Sequence, residues 1–279
     1  MSLRMTRFFV VCSLAVFLLS ACASSDSSKD PMALPAEQPV EQIYEDAQDA
    51  LEIGNYDTAA RLFNEVERLY PYSEWATQAQ LMAAYAYYEG QRYDEAILAL
   101  ERFIQLYPGS KSLDYAYYLN AMAHYEQITD VERDQEMTRL ALRQLNILID
   151  RFPDSDYARD AQFKRDLTLD HLAGKEMEVG RYYLTRGHYQ AGITRFMNVI
   201  EEYQTTTHVP EALHRLVESY LALGIKQEAV RIAAILGHNY PGSQWYEDTY
   251  RLLDPTQREK LLEERGFLDR TVETIFRPQ

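Results

Sequence analysis

Residues able to do chemistry are scattered through this 279-residue chain. The six histidines, His124, His171, His188, His208, His214 and His238, form no His-x-x-x-His pair, whereas zinc needs three or four ligands converging at short spacing. They read as surface or groove residues, and no metal site is expected. There is no glycine-rich phosphate loop and no Gly-x-Ser-x-Gly elbow. No catalytic residue is expected. What the chain holds in excess is tyrosine, 22 in all. Tyr85, Tyr87, Tyr88, Tyr115, Tyr117, Tyr118 and Tyr125 crowd two short stretches. A phenol combines apolar area with a hydrogen-bonding tip and loses little entropy when ordered, which suits peptide capture. Neighbours on a helix point about 100° apart, so Tyr87 and Tyr88, or Tyr117 and Tyr118, cannot share one direction. Packing and peptide binding both fit these rings, and Tyr85, Tyr88, Tyr115 and Tyr118 are the groove candidates.

The elements that must position them are repeats. Ala59, Phe63, Val66 and Tyr70 are matched by Ala96, Leu100, Phe103 and Tyr107, and by Ala141, Leu145, Leu148 and Phe152. Gly192, Phe196, Val199 and Tyr203, then Ala229, Ala233, Leu236 and Tyr240, complete five copies. Offsets of 0, 4, 7 and 11 share one face of an α-helix. The small first residue admits a close neighbour. A Pro follows the aromatic in four copies, Gln204 in the fourth, and proline is expected to end each helix. Before each lies another apolar-periodic stretch closing at a Gly turn, such as Leu81 to Tyr88 before Gly90. Two insertions interrupt the array. One is the charged stretch Asp130 to Glu136; the other runs from Ser155 to Leu172, as a separate helix or the start of one reaching Tyr183. Ser243 to Leu253 reads as a capping helix. Arg195 sits where the other copies have Leu62, Ala99, Gln144 and Ile232, so its charge must stay in water or find a carboxylate.

Charge and the N-terminus narrow the setting. With 28 Lys+Arg against 43 Asp+Glu, the chain has no bulk basic face for nucleic acid. Arg4 and Arg7 precede the apolar run Phe8 to Leu19, which suits an export signal and is too short for a bilayer span of about 20 residues. Leu19-Ser20-Ala21-Cys22 then resembles a bacterial lipobox. That resemblance implies cleavage after residue 21, a thioether-linked diacylglyceryl group on the Cys22 sulfur and an acyl chain on its amine. Ala23 in place of Asp favours the outer membrane. Ser-rich and Pro-rich residues follow, a tether rather than a core. The organisation expected is 1–21 signal peptide, 22–39 acylated Cys and tether, 40–253 solenoid and 254–279 charged C-terminal extension.

The repeat resembles the tetratricopeptide repeat, Gly-x-Tyr-x-x-Ala-x-x-x-Phe with Pro twelve after Ala, although the copies lie further apart than its period of about 34 residues. The fold implied is all-α, a right-handed superhelical α-solenoid of about five helix pairs with a C-terminal capping helix. The mature chain also resembles the BamD family of the outer-membrane β-barrel assembly machinery. The segments that carry this are Glu41-Gln42-Ile43-Tyr44, Tyr85-Ala86-Tyr87-Tyr88, Asp114-Tyr115-Ala116-Tyr117-Tyr118 and Tyr182-Tyr183-Leu184-Thr185-Arg186-Gly187. The family implies a non-catalytic, lipid-anchored adaptor at the outer membrane, facing the periplasm. Its C-terminal repeats would dock the last POTRA domain of the barrel subunit BamA, beside other lipoproteins of the complex. Its N-terminal repeats would receive unfolded outer-membrane clients. Arg195 falls on the family arginine that pairs with a POTRA carboxylate, and Arg186 and Tyr183 join it as partner-binding candidates. No cofactor is implied beyond the lipid on Cys22. Two rivals differ in class. A scaffold of the Tol–Pal or cell-wall-synthesis type has similar Tyr-Pro-x-Ser endings but typically lacks a lipobox. Glu218-Ser219 echoes the Glu-Ser pair of lytic transglycosylases, without a lysozyme-like segment around it, and is rejected.

Overall fold

Apolar periodicity becomes helix at every predicted position. The computed structural model describes residues 38–276, with side chains to residue 266. The segments expected as signal peptide and tether, with Cys22, lie outside the described residues up to residue 37. The chain divides into a short unit, Met1–Gln42, and a large one, Ile43–Gln279, which holds everything below but the first three residues of α1. The helices, in chain order, are α1 (Val40–Glu52), α2 (Tyr56–Leu69), α3 (Glu74–Glu89), α4 (Tyr93–Leu106), α5 (Leu113–Tyr125) and α6 (Glu136–Arg151). They continue as α7 (Asp156–Thr185), α8 (Tyr189–Glu202), α9 (Val209–Ala222), α10 (Lys226–Asn239), α11 (Gln244–Leu252) and α12 (Pro255–Phe276). Among the described residues there is no strand.

Each helix from α2 to α10 packs on the next, α12 packs back on α10, and the first helices of successive pairs, α3, α5, α7 and α9, also touch side by side. This is the all-α tetratricopeptide-like solenoid. The second helices α2, α4, α6, α8 and α10 bury the residues at offsets 0, 4 and 7 almost completely. Small first residues do admit a close neighbour. A Cβ on Gly192 would come within 3.4 Å of the Gly180 carbonyl, and one on Gly180 within 2.4 Å of the Phe196 ring.

Proline alone does not end these helices. Tyr70, Tyr107, Phe152 and Tyr240 cap them near φ −129°, −124°, −132° and −134°. Tyr203 does the same at φ −127°, ψ 44° with Gln204 after it. A hydroxyl three residues on holds the turn: Ser73 Oγ donates to the Tyr70 carbonyl and Thr206 Oγ1 to that of Tyr203, both at 2.8 Å. Ser73, Ser155 and Ser243 then cap the next helix by accepting a backbone N–H.

The short turn inside four of the five pairs uses one left-handed residue. Gly54, Gly187 and Gly224 supply it, at φ 76°, 77° and 76°. In the second pair the left-handed residue is Gln91, at φ 58°, and not the expected Gly90. A side chain there opposes its own carbonyl at a cost of about 1–2 kcal/mol, and glycine returns part of that gain as unfolded-state entropy. Gln91→Gly should therefore stabilise the chain by about 0.5 kcal/mol, seen as a higher urea midpoint.

Both insertions take definite form. Asp130 to Gln135 is a loop folded about the buried Gln135, whose amide donates to the carbonyls of Val131 and Arg133 at 3.2 and 3.0 Å, and Glu136 already opens α6. Ser155 onward is one continuous 30-residue helix, α7, about 45 Å long. Its N-terminal half packs on α5 and α6, its C-terminal half on α8 and α9. No described helix before α7 packs as a pair on any helix after it. The extension from residue 254 begins as part of the cap. Asp254 and Gln257 exchange backbone hydrogen bonds at 2.8 Å each, a reciprocal capping box, and Leu261 is fully buried in the same core as Leu236.

Two buried histidines make this packing pH-sensitive. Burial pushes His214 down, against the pull of Glu218, with Arg215, Asp248 and Glu211 also facing it; its Nδ1 lies 2.8 Å from Thr249 Oγ1. Burial likewise pushes His124 down, against Glu101 and Asp94. The folded chain then binds fewer protons than the unfolded chain below the ordinary value of about 6.5, so stability falls as pH drops through that value. Urea midpoints should be lower at pH 5.5 than at 7.5. The gap should narrow in a His124→Gln/His214→Gln variant; an unchanged gap would place the effect elsewhere.

Candidate partner and client surfaces

On α3 and α5 the tyrosines divide as helix geometry requires. Tyr87 and Tyr117 turn toward second helices: the Tyr87 hydroxyl accepts from Asn64 Nδ2 at 3.0 Å, and that of Tyr117 from Arg151 Nη1 at 2.9 Å. Tyr85, Tyr88, Tyr115 and Tyr118 turn instead toward the seam of first helices, where all are half-buried. Tyr118 stacks on Tyr157 of α7, ring centres 4.9 Å apart and planes 24° apart, and donates its hydroxyl to Asp160 Oδ2 at 2.8 Å. Tyr115 lies 5.3 Å from the same Tyr157 ring, and Tyr88 meets Tyr93 edge-on at 5.7 Å.

Burial raises the pKa of each of these phenols. Tyr88 is pushed up to about 12, helped by Glu126 and Tyr93. Tyr115 is raised by burial and then by Tyr85, Tyr157, Glu89 and Tyr88. Tyr118 is raised by burial and by its bond to Asp160, and Tyr85 by burial and Glu89. All four therefore stay protonated near neutral pH. Faces of this kind take aromatic side chains, and their hydroxyls and the neighbouring carboxylates can bond an extended backbone. The four candidates thus form one cluster. Sequence reasoning missed Tyr157 and Asp160. The signal was there, because Asp156-Tyr157-Ala158 repeats the Asp114-Tyr115-Ala116 triplet.

The partner-binding candidates do not form one cluster. Arg195 on α8 finds its carboxylate within the chain: Nη1 donates to Glu176 Oε2 of α7 at 3.2 Å, and Asn198 Nδ2 donates to the same oxygen at 3.2 Å. Its side chain is still 40% exposed, against 18% for Glu176. Tyr183 and Arg186 lie at the far end of α7, seven and ten residues or about 10 and 15 Å beyond Glu176. There the Arg186 guanidinium covers the half-exposed Tyr182 ring at 4.1 Å, and Tyr183 lies edge-on to His188 at 6.4 Å. A depression of about 500 Å³ beside Tyr183 is lined by Gly187, Tyr189, Ala191 and Leu223.

Glu218 belongs to the cap. It accepts from Arg215 at 2.7 Å and lies 3.7 Å from His214, while Arg215 also covers the Trp245 ring. Among the described residues, no three His, Cys, Asp or Glu side chains converge as a metal site, and no helix is long and apolar enough to cross a membrane.

A family model described as YfiO, outer membrane lipoprotein, matches residues 36–236. The outer membrane protein assembly factor BamD of Caulobacter vibrioides is 49% identical over 84% of this chain and 77% of its own. That of Rickettsia prowazekii is 40% identical over 90% of this chain and 98% of its own. That of Neisseria meningitidis serogroup A is 36% identical over 81% and 88%.

Proposed function

We propose, because this chain belongs to the YfiO family of outer membrane lipoproteins that includes the BamD assembly factors, that it is a non-catalytic adaptor in outer-membrane protein assembly. It acts by holding partners, as stacked helix pairs do, through several modest contacts. Cys22 carries a diacylglyceryl and an N-acyl chain that fasten the periplasm-facing solenoid to the outer membrane. One acyl chain anchors only marginally and several make attachment stable. The N-terminal repeats receive an extended, aromatic-rich client segment against Tyr85, Tyr88, Tyr115 and Tyr118. The C-terminal repeats dock the POTRA region of a BamA-type barrel protein through Arg195, Arg186 and Tyr183, alongside other lipoproteins of the complex.

The observation that carries this reading is the separation of the two surfaces. The phenol cluster lies on α3, α5 and the start of α7, whereas Arg195 and Tyr183 lie on α8 and the end of α7. One chain can then hold a client and a docked barrel subunit at once. The test is affinity purification of the lipidated protein in mild detergent. A POTRA-bearing barrel protein is expected to come with it. Its absence, together with normal barrel insertion in cells depleted of this chain, would favour the Tol–Pal or cell-wall class. Cys22→Ser is expected to release the chain from membranes without altering its fold.

A further inference from the structure

The tyrosine cluster does not stop at Tyr118. Along α7 its floor continues through Lys164, whose ammonium sits 4.8 Å from the centre of the Tyr125 ring, and then through Leu167 and His171. Leu167 and His171 line two neighbouring depressions of about 350 and 440 Å³, which therefore form one trough. Ile128 and Thr129 wall the first; the insertion loop at Val131 and Glu132 walls the second, opposite His208. Gly174 keeps the second open, since a Cβ there would lie 3.3 Å from His208 Nε2 and 3.8 Å from Val131 Cγ1. His171 Nε2 is buried and has no hydrogen-bond partner among the described residues.

The trough is acidic. Arg181 is bound to Glu211 at 3.1 Å, Lys175 to Glu178 at 3.2 Å and the Glu132 carbonyl at 2.8 Å, and Lys164 lies over the Tyr125 ring, so these three cations are engaged. Asp170 accepts the Thr207 N–H and hydroxyl and lies 3.6 Å from His208. Glu126, Asp130 and Glu132 form no ion pair among the described residues, and Glu126 and Glu132 are exposed. An apolar floor under unpaired carboxylates is complementary to a side chain with an aliphatic stem and a cationic tip.

We propose that this trough is the acidic end of the client groove and holds a basic side chain of the same extended segment whose aromatic residues lie against Tyr88, Tyr115 and Tyr118. The proposal rests on the reading of that cluster as the client groove. From Tyr157, under the stacked rings, to Asp170 is about 20 Å along α7, which an extended chain spans in about six residues. The client is therefore read at two points: an aromatic residue in the phenol cluster, and an arginine or lysine about six residues away. Clients with that pairing are favoured over equally aromatic ones that are neutral or acidic at the second point.

The experiment uses the full lipidated chain in mild detergent and fluorescein-labelled peptides of alternating Tyr and Thr. They differ only in two adjacent residues placed six positions from the aromatic centre: Arg-Arg, Gln-Gln or Glu-Glu. At low salt the Arg peptide is expected to bind at least about fivefold more tightly than the Gln peptide, and the Glu peptide more weakly than either. Glu132→Gln should narrow that gap and leave the Gln peptide unchanged. High salt should shrink the gap, and so should moving the arginines three residues inward. If Arg and Gln peptides bind alike and both weaken in Tyr118→Ala, the acidic end is wrong and the client groove stands. If no peptide binds, or binding ignores Tyr118→Ala, both readings fall.

Discussion

Arg195→Glu is expected to reduce co-purification of the POTRA-bearing barrel subunit at least tenfold. A tenfold loss is about 1.4 kcal/mol, modest for a charge reversal that sets a carboxylate against a partner's carboxylate. The same substitution also damages the chain itself, because Glu176 already holds the guanidinium at 3.2 Å and would then face a second anion. A partly exposed pair of this kind contributes about 1 kcal/mol, too little for its loss to unfold the solenoid. The two effects separate in the swapped variant Arg195→Glu/Glu176→Arg. It restores an internal pair, so its thermal midpoint should return to that of the parent, yet it presents the wrong charge at position 195 and should still fail to retain the barrel subunit. Glu176→Gln frees Arg195 and should retain that subunit at least as well as the parent. Equal retention by the parent and by Arg195→Glu would leave Arg195 as a structural arginine only.

The largest stability effect is expected from Gly180→Ala. A Cβ at position 180 would lie 2.4 Å from one atom of the Phe196 ring and 2.8 Å from two others, and Phe196 is fully buried. Neither side can move freely, because α8 is already close against α7 through Gly192. Alanine would by itself favour the helix by about 1 kcal/mol, but overpacking of this kind costs about 1–3 kcal/mol and the clash is at the severe end. A net loss of about 2 kcal/mol should lower the thermal midpoint by about 4–8 °C. Phe196→Leu in the same chain removes the clashing ring edge and should recover part of the loss. If Gly180→Ala is neutral or stabilising, the seam between α7 and α8 is looser than described. Gly237 presents the same problem against Tyr246, at 2.5 Å, and should behave similarly.

The fold was legible wherever one residue pattern served one neighbour. Ala59, Phe63 and Val66 and their equivalents announce five second helices because each keeps one buried face along its length. α7 was ambiguous for the opposite reason. Its buried face is built of Ala158, Ala161, Thr168, Leu172, Gly174 and Gly180, and it changes partners from α6 to α8 midway, so no single apolar stripe runs along it. Gly90 was a natural reading of the second turn, but a backbone that tolerates about 1–2 kcal/mol can place Gln91 there instead. In the candidate sites, the crowding of tyrosines was plain from spacing, and the 100° rule alone required Tyr87 and Tyr117 to diverge from Tyr88 and Tyr118. Glu176 was not visible as the partner of Arg195, because the pair joins two helices across a turn. The role of Gln135 was hidden too, since a buried amide that folds a charged loop looks like one more polar residue in it.

The most direct measurement is site-specific photo-crosslinking in cells, with a benzoylphenylalanine in place of Tyr115 in one strain and of Tyr182 in another. The expected result is two different partners: unfolded outer-membrane barrel proteins from position 115, and a POTRA-bearing barrel subunit from position 182. Capture of the same partner at both positions, or no client at position 115, would contradict a single adaptor with two separate holding surfaces.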